Sequence, residues 1–171
     1  MSAKPAALLL VKTRGNTRRL AEKLSAETLI EWSLAVYGPH QIVAYALAEA
    51  SGELTTCIES VREWSEVAEL DARMCKAIPG DEDLKPVVAS EAEVAVLLIG
   101  TNYKVEKERD VTYKLRGHHA VVLARALWGP DDIVVLIQAP DPESMRNVIC
   151  DDVKTMKGVL RCVTLYAYPP G

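Results

Sequence analysis

The sequence predicts an α+β fold in which one β-α-β-β-α-β unit is written twice. Two observations carry that prediction. The first is a repeated turn: Tyr37-Gly38-Pro39-His40-Gln41-Ile42-Val43 returns 91 positions later as Trp128-Gly129-Pro130-Asp131-Asp132-Ile133-Val134. Each copy runs aromatic, Gly-Pro, two polar residues, Ile-Val. The second is its setting, because apolar strand-like runs flank both copies and an amphipathic helical stripe follows each. Glycine tolerates positive φ and proline fixes its own, so Gly-Pro between such runs reads as a hairpin tip. An internal repeat of this length decides the architecture before any single element does.

The elements follow in order. Residues 6–11 (Ala-Ala-Leu-Leu-Leu-Val) form a short continuous apolar run, the mark of a buried strand. Asn16 or Thr17 caps a helix with Leu20, Ala21 and Leu24 at helical spacing. Residues 30–36 are the next strand, and after the Gly38-Pro39 turn residues 42–47 are its partner. Ser51-Gly52-Glu53 opens a second helix, with Leu54, Ile58, Val61 and Trp64 on one stripe. Val67 is read as its end and residues 69–77 as the fourth strand. The acidic, turn-rich stretch from Pro79 to Pro86 separates the halves, giving a first domain over 1–80, a linker over 81–92 and a second domain over 93–171. In the second half residues 94–99 are a strand. Residues 101–116 are the least regular part, with a short charged helix around Glu106, Lys107, Glu108 and Arg109. Strands follow at 119–127 and 133–138. Asp141-Pro142-Glu143 is a strong helix start, with a capping acid, proline at the first position and an acid in the first turn. Met145, Ile149, Val153 and Met156 make its stripe, Gly158-Val159 closes it, and 161–168 is the last strand.

Such a split β-α-β unit is ferredoxin-like, with both helices on one face of an antiparallel sheet. Its other face is apolar and open. Two fused copies can cover each other there, which gives a pseudo-dimer resembling a dimeric α/β barrel.

Composition narrows the function classes. Apolar residues make up 49% and charged residues 26% of 171, normal for a soluble globular protein. The net charge of −4 argues against a large nucleic-acid surface. Residues 1–88 carry 10 basic and 13 acidic side chains and the remainder 10 and 11, so neither half is a basic module. No run approaches membrane-spanning length, and residues 6–11 are too short for a signal peptide. Cys57, Cys75, Cys150 and Cys162 lack metal-type spacing. They read as buried fillers of a reduced, cytoplasmic protein.

The order strand, helix, strand, Gly-x-x-Asp-hydrophobic hairpin, strand, helix, Gly-Val, strand resembles the ligand-binding (RAM) domain of the Lrp/AsnC transcription regulators. The second half carries the likeness through Gly129-Pro130-Asp131-Asp132-Ile133-Val134, the helix from Pro142, and Lys157-Gly158-Val159-Leu160-Arg161-Cys162-Val163-Thr164. The first half carries it through residues 8–13, 21–24, Tyr37-Gly38 and 53–67. It departs where Gln41 stands for the expected Asp and Glu66-Val67 for Gly-Val. The resemblance implies a small effector, an amino acid, bound between subunits near the hairpins. It also implies a homo-oligomer acting on a partner regulator. Family members carry an N-terminal helix-turn-helix, whereas this chain begins directly on a strand, so no direct DNA contact is expected.

The candidate ligand-binding residues are Gly129, Asp131 and Asp132 in the second hairpin and Gly38, His40 and Gln41 in the first. An effector ammonium needs a carboxylate, and N–H groups of a glycine turn receive its carboxylate. The competing reading is local turn chemistry, in which Asp bonds its own backbone. Other motifs read as structure. Residues 13–17 resemble a flavodoxin phosphate loop, but a capped helix start explains them. His118-His119 falls at the start of a strand, where neighbours face opposite ways, so no metal is expected. Lys12, Arg14, Arg18, Arg19 and Lys23 read as a solvated face. No catalytic constellation and no cofactor motif appears. The function expected is a non-catalytic binding and oligomerisation module. The alternatives are a small enzyme of the dimeric α/β-barrel type, related in architecture to monooxygenases and heme proteins, and a pure assembly module.

Overall fold

The computed structural model describes residues 4–83 and 91–169. Much of the 81–92 linker, and Pro170 and Gly171, lie outside them. The first unit comprises β1 (Ala6–Thr13), α1 (Thr17–Ser25), β2 (Ile30–Tyr37), β3 (Ile42–Leu47), α2 (Ser51–Arg62) and β4 (Val67–Met74). The second comprises β5 (Glu93–Thr101), α3 (Glu108–Arg116), β6 (Val121–Ala126), β7 (Ile133–Ala139), α4 (Pro142–Asn147) and β8 (Val159–Ala167). Both units have the order read from the repeat.

All pairings are antiparallel, in the order β4-β1-β3-β2-β8-β5-β7-β6. Two seams join the units. At one, Val36 faces Ala167 and Tyr37 faces Tyr166. At the other, Cys75 and Leu127 form a bridge, the Lys76 N–H donates to Ala126 O at 2.8 Å, and the Trp128 N–H donates to Met74 O at 2.9 Å. The second seam closes the sheet into an eight-stranded barrel.

Strand alternation sorts the core into three parts. Leu8, Leu10, Trp32, Val43 and Tyr45 of the first unit meet Val96, Leu98, Leu123, Leu136 and Leu165 of the second inside the barrel. Leu9, Val11, Ile42 and Ala44 face outward under Leu20, Leu24, Leu54, Ile58 and Val61 of α1 and α2. Leu97, Ile99, Val135 and Ile137 do the same under α3 and α4. Each sheet is therefore covered on both faces, which is why its strands read as continuous apolar runs.

The helix starts hold as read. Asn16 Oδ1 accepts the Arg19 N–H at 2.9 Å, and Asp141 Oδ1 accepts the Ser144 N–H at 2.7 Å, with Pro142 in the first turn. Several boundaries are corrected. Val67 does not end α2, which stops at Arg62; it begins β4. The short charged helix around 106–109 is instead α3, which buries Val111, Thr112 and Leu115. The helical run after α4 continues as a π-helix over Val148–Val153, where Lys154 N–H donates to Ile149 O at 2.9 Å, and it stops before Gly158. Within the 81–92 linker, residues 81–83 form a 3-10 turn, and Asp81 is buried, with no bearing on the domain bounds.

Candidate functional site

The two hairpin tips are built alike. At the second polar position of each, the backbone N–H reaches back to the strand beside it: Gln41 to Val11 O at 3.0 Å, Asp132 to Ile99 O at 2.8 Å. The side chains do the same job. Gln41 Oε1 accepts the Thr13 N–H at 3.1 Å. Asp132 Oδ2 accepts the Thr101 N–H at 2.7 Å and its hydroxyl at 3.1 Å, while Oδ1 accepts the Tyr103 hydroxyl at 2.7 Å. That bond, with a smaller contribution from burial, pushes the Tyr103 phenol up to about 12. Both side chains thus serve a polar group at a strand end where the ladder register slips.

The first polar positions differ. Asp131 is buried and takes Arg73 from β4, while Arg161 from β8 stands 3.5 Å away and also donates to Pro130 O. Arg73 holds Asp71 as well, at 3.1 Å. His40 is half-buried, and burial followed by Lys12 lowers its pKa from the ordinary 6.5. The glycines before them have φ of 154° at Gly38 and 123° at Gly129, in the region that favours glycine.

Register shows what the duplication has changed. Arg73 faces Leu8 on β1, and Leu165 holds the equivalent place against Val96 on β5. Gly129 lies against Arg73, and Gly38 lies against Leu165. Likewise Arg125 faces Val134 where Leu34 faces Val43. One seam therefore carries Arg73, Asp131 and Arg125 where the other carries Leu165, His40 and Leu34 in the equivalent places. The structure brings Asp131, Asp132 and Gly129 together with Arg73, Arg161 and Tyr103, none of which was a candidate. Gly38, His40 and Gln41 sit at the other hairpin, beside Lys12 and Leu165.

The remaining motifs resolve as follows. His118 and His119 precede β6 rather than open it, and their rings stack at 4.5 Å instead of facing opposite ways. His118 Nε2 pairs with Asp152 at 2.8 Å, and its Nδ1 accepts the Ala120 N–H at 3.0 Å. No group of metal-ligating side chains occurs among the described residues. None of the chain's three histidines is among the buried residues. Cys150 is exposed, not a filler. In the basic cluster, Lys12 pairs with Glu69 at 3.2 Å and Lys23 with Glu66 at 2.7 Å. A groove of about 700 Å³ lies far from the hairpins, between α2 and the turn before β2, lined by Glu27, Glu53, Thr56 and Cys57. No helix among the described residues is long and apolar enough to cross a membrane.

No family model matches the sequence, and no curated protein matches it. Among solved structures the chain is similar to a mutant chlorite dismutase from Candidatus Nitrospira defluvii. The identity is 10% and the TM-score 0.59, over 99% of this chain and 93% of that one. It is similar to an anthrone oxidase-like protein at 8% identity and a TM-score of 0.57, over 100% of this chain and 96% of that one. It also matches FFRP-DM1 at 24% identity and a TM-score of 0.42, over 44% of this chain and 99% of that one. The two whole-chain likenesses show the fold. The chain is a ferredoxin-like, dimeric-α/β-barrel protein with both halves in one polypeptide.

Proposed function

We propose that the chain is a non-catalytic binding module of the Lrp/AsnC type. It holds a small zwitterion of the amino-acid class at the charged seam and acts on a partner regulator or on further copies of itself. The observation that carries this reading is the asymmetry of the seams. Arg73, Asp131 and Arg161 gather where β4 meets the second hairpin, while Leu165 stands in the place of Arg73 at the other. Charges in a half-buried place are not kept for stability alone, since apolar side chains of similar volume hold such a place equally well. An amino acid's carboxylate fits between Arg73 and Arg161, which now share Asp131, and its ammonium fits Asp131. Asp132, fully engaged by Thr101 and Tyr103, sets the tip that carries Asp131.

Thermal melts against each of the twenty amino acids test this. At about 100 times its dissociation constant a ligand stabilises by about 2.7 kcal/mol, on the order of 5–10 °C for a chain of this size. A selective shift that disappears in Asp131→Ala is expected. No shift with any amino acid rejects the reading.

The second reading is an enzyme of the same fold, favoured by the whole-chain likeness to a chlorite dismutase and an anthrone oxidase-like protein. Against it, the barrel interior is lined mainly by apolar side chains, and His118 is engaged outside it.

A further inference from the structure

Inside the barrel, at the end where β4 meets β6, lies a second charged group that the hairpin site does not use. Arg125 is 2% exposed. Its Nη1 donates to the Tyr45 hydroxyl at 2.8 Å, and its Nη2 stands 3.5 Å from Asp81 Oδ2. Arg116, from the end of α3, donates to Ala124 O at 3.0 and 2.9 Å and also pairs with Asp81. Asp81 Oδ2 also accepts the Ile78 N–H at 2.6 Å, and the Tyr113 hydroxyl of α3 donates to Pro79 O at 2.9 Å, which holds the strap from Ile78 to Asp81 in place. Tyr45 stacks on Trp32 at 5.8 Å.

The charges here do not balance. The groups that act on Arg125 are Cys75, Tyr45 and Asp81. Burial pushes the Cys75 thiol up to about 11 and the Tyr45 phenol up to about 12, so both are neutral at pH 7. Among the described residues one carboxylate therefore faces two guanidinium groups, one of them 2% exposed. Among those residues, too, neither Arg125 Nε nor Trp32 Nε1 has an acceptor. A buried cation short of an anion, beside buried donors short of acceptors, is costly unless something else completes it. In the twin unit Leu34 holds the place of Arg125 at no such cost.

The geometry points to a carboxylate-binding site formed by Arg125, Arg116, Tyr45 and Trp32 inside the barrel, with Asp81 of the strap as its built-in occupant. The ligand class is a small monocarboxylic acid with an apolar or aromatic body. Its carboxylate replaces Asp81 on the guanidinium pair, and its body lies against the Trp32–Tyr45 stack among the aliphatic side chains. Because Asp81 is tethered, it competes at high effective concentration, and a ligand binds the intact chain only in the fraction with the strap lifted. This site is independent of the hairpin site, and neither stands or falls with the other.

Benzoate is the probe, with benzamide as its uncharged counterpart. Titration calorimetry is run on the whole chain and on Asp81→Asn, which removes the competing charge but keeps the shape. Asp81→Asn is expected to bind benzoate at least about 10-fold more tightly than the unaltered chain and to ignore benzamide. Adding Arg125→Leu, the residue of the twin position, is expected to abolish that binding. If Asp81→Asn does not fold by itself, the readout becomes its near-ultraviolet circular dichroism and melting temperature in benzoate against chloride of equal ionic strength. Recovery in benzoate alone supports the site. Benzoate binding no tighter in Asp81→Asn, binding unchanged by Arg125→Leu, or no recovery in benzoate overturns it.

Discussion

Asp132 and Gln41 occupy one place in the two units, and both tie a hairpin to the end of the neighbouring strand. Asp132 satisfies three donors and Gln41 one. Urea denaturation is expected to show Asp132→Ala destabilised by about 1–3 kcal/mol and Gln41→Ala by about 1 kcal/mol. His40 makes a prediction in pH. Burial and Lys12 depress its pKa below 6.5, so the folded chain resists protonation and the unfolded chain takes up more protons. The stability involved is present above pH 6.5 and lost as pH falls through the folded value. Urea midpoints at pH 8 and pH 5 are expected to differ less in His40→Gln than in the unaltered chain. Gly158, at φ of 95°, would place a Cβ 2.6 Å from Glu106 Cβ and 2.8 Å from Val111 Cγ2. Gly158→Ala is therefore expected to lower stability by about 1–3 kcal/mol in the same assay. The sequence marks these residues as turn or cap residues and no further, because their partners lie far along the chain. Asp132 meets Thr101 and Tyr103, and Asp131 meets Arg73. Arg125 was not singled out in the sequence, because the Tyr45 and Asp81 that it meets lie far along the chain.

The starts of elements with a strong apolar period were legible to within a residue or two, whereas the end of α2 was read five residues late. The starts of α1, α2 and α4 follow from Asn16, Ser51 and Asp141-Pro142. The helix α3 was placed too early because its buried face is narrow. Only Val111 and Leu115 are aliphatic there, and Thr112 is buried by donating its hydroxyl to Glu108 O at 2.8 Å. Leu115→Ala is expected to destabilise by about 2–5 kcal/mol in urea, since Leu115 is fully buried under the second sheet. The π-helix after α4 has no sequence signature of its own. Its widened turn still brings Val148, Ile149 and Val153 inward, so the apolar stripe alone does not reveal it.

At the scale of the whole molecule, the repeat foretold the architecture and its physical reason. Each sheet has an inward face, with Leu8, Leu10, Val43 and Tyr45 in one unit and Val96, Leu98, Val134 and Leu136 in the other, and each covers its twin. The first unit expressed alone is accordingly expected to self-associate or aggregate, with sedimentation showing no stable monomer. Duplication also frees the two seams to diverge, and only one has gathered Arg73, Asp131 and Arg125. That divergence is the central claim, and its most direct test is a ¹H–¹⁵N chemical-shift map of the chain titrated with the amino acid that stabilises it most. The account predicts that the perturbed amides cluster at Arg73, Gly129 to Asp132 and Arg161, with the Gly38 hairpin unmoved. Equal perturbation of both hairpins, or perturbation confined to the groove beside α2, would contradict it.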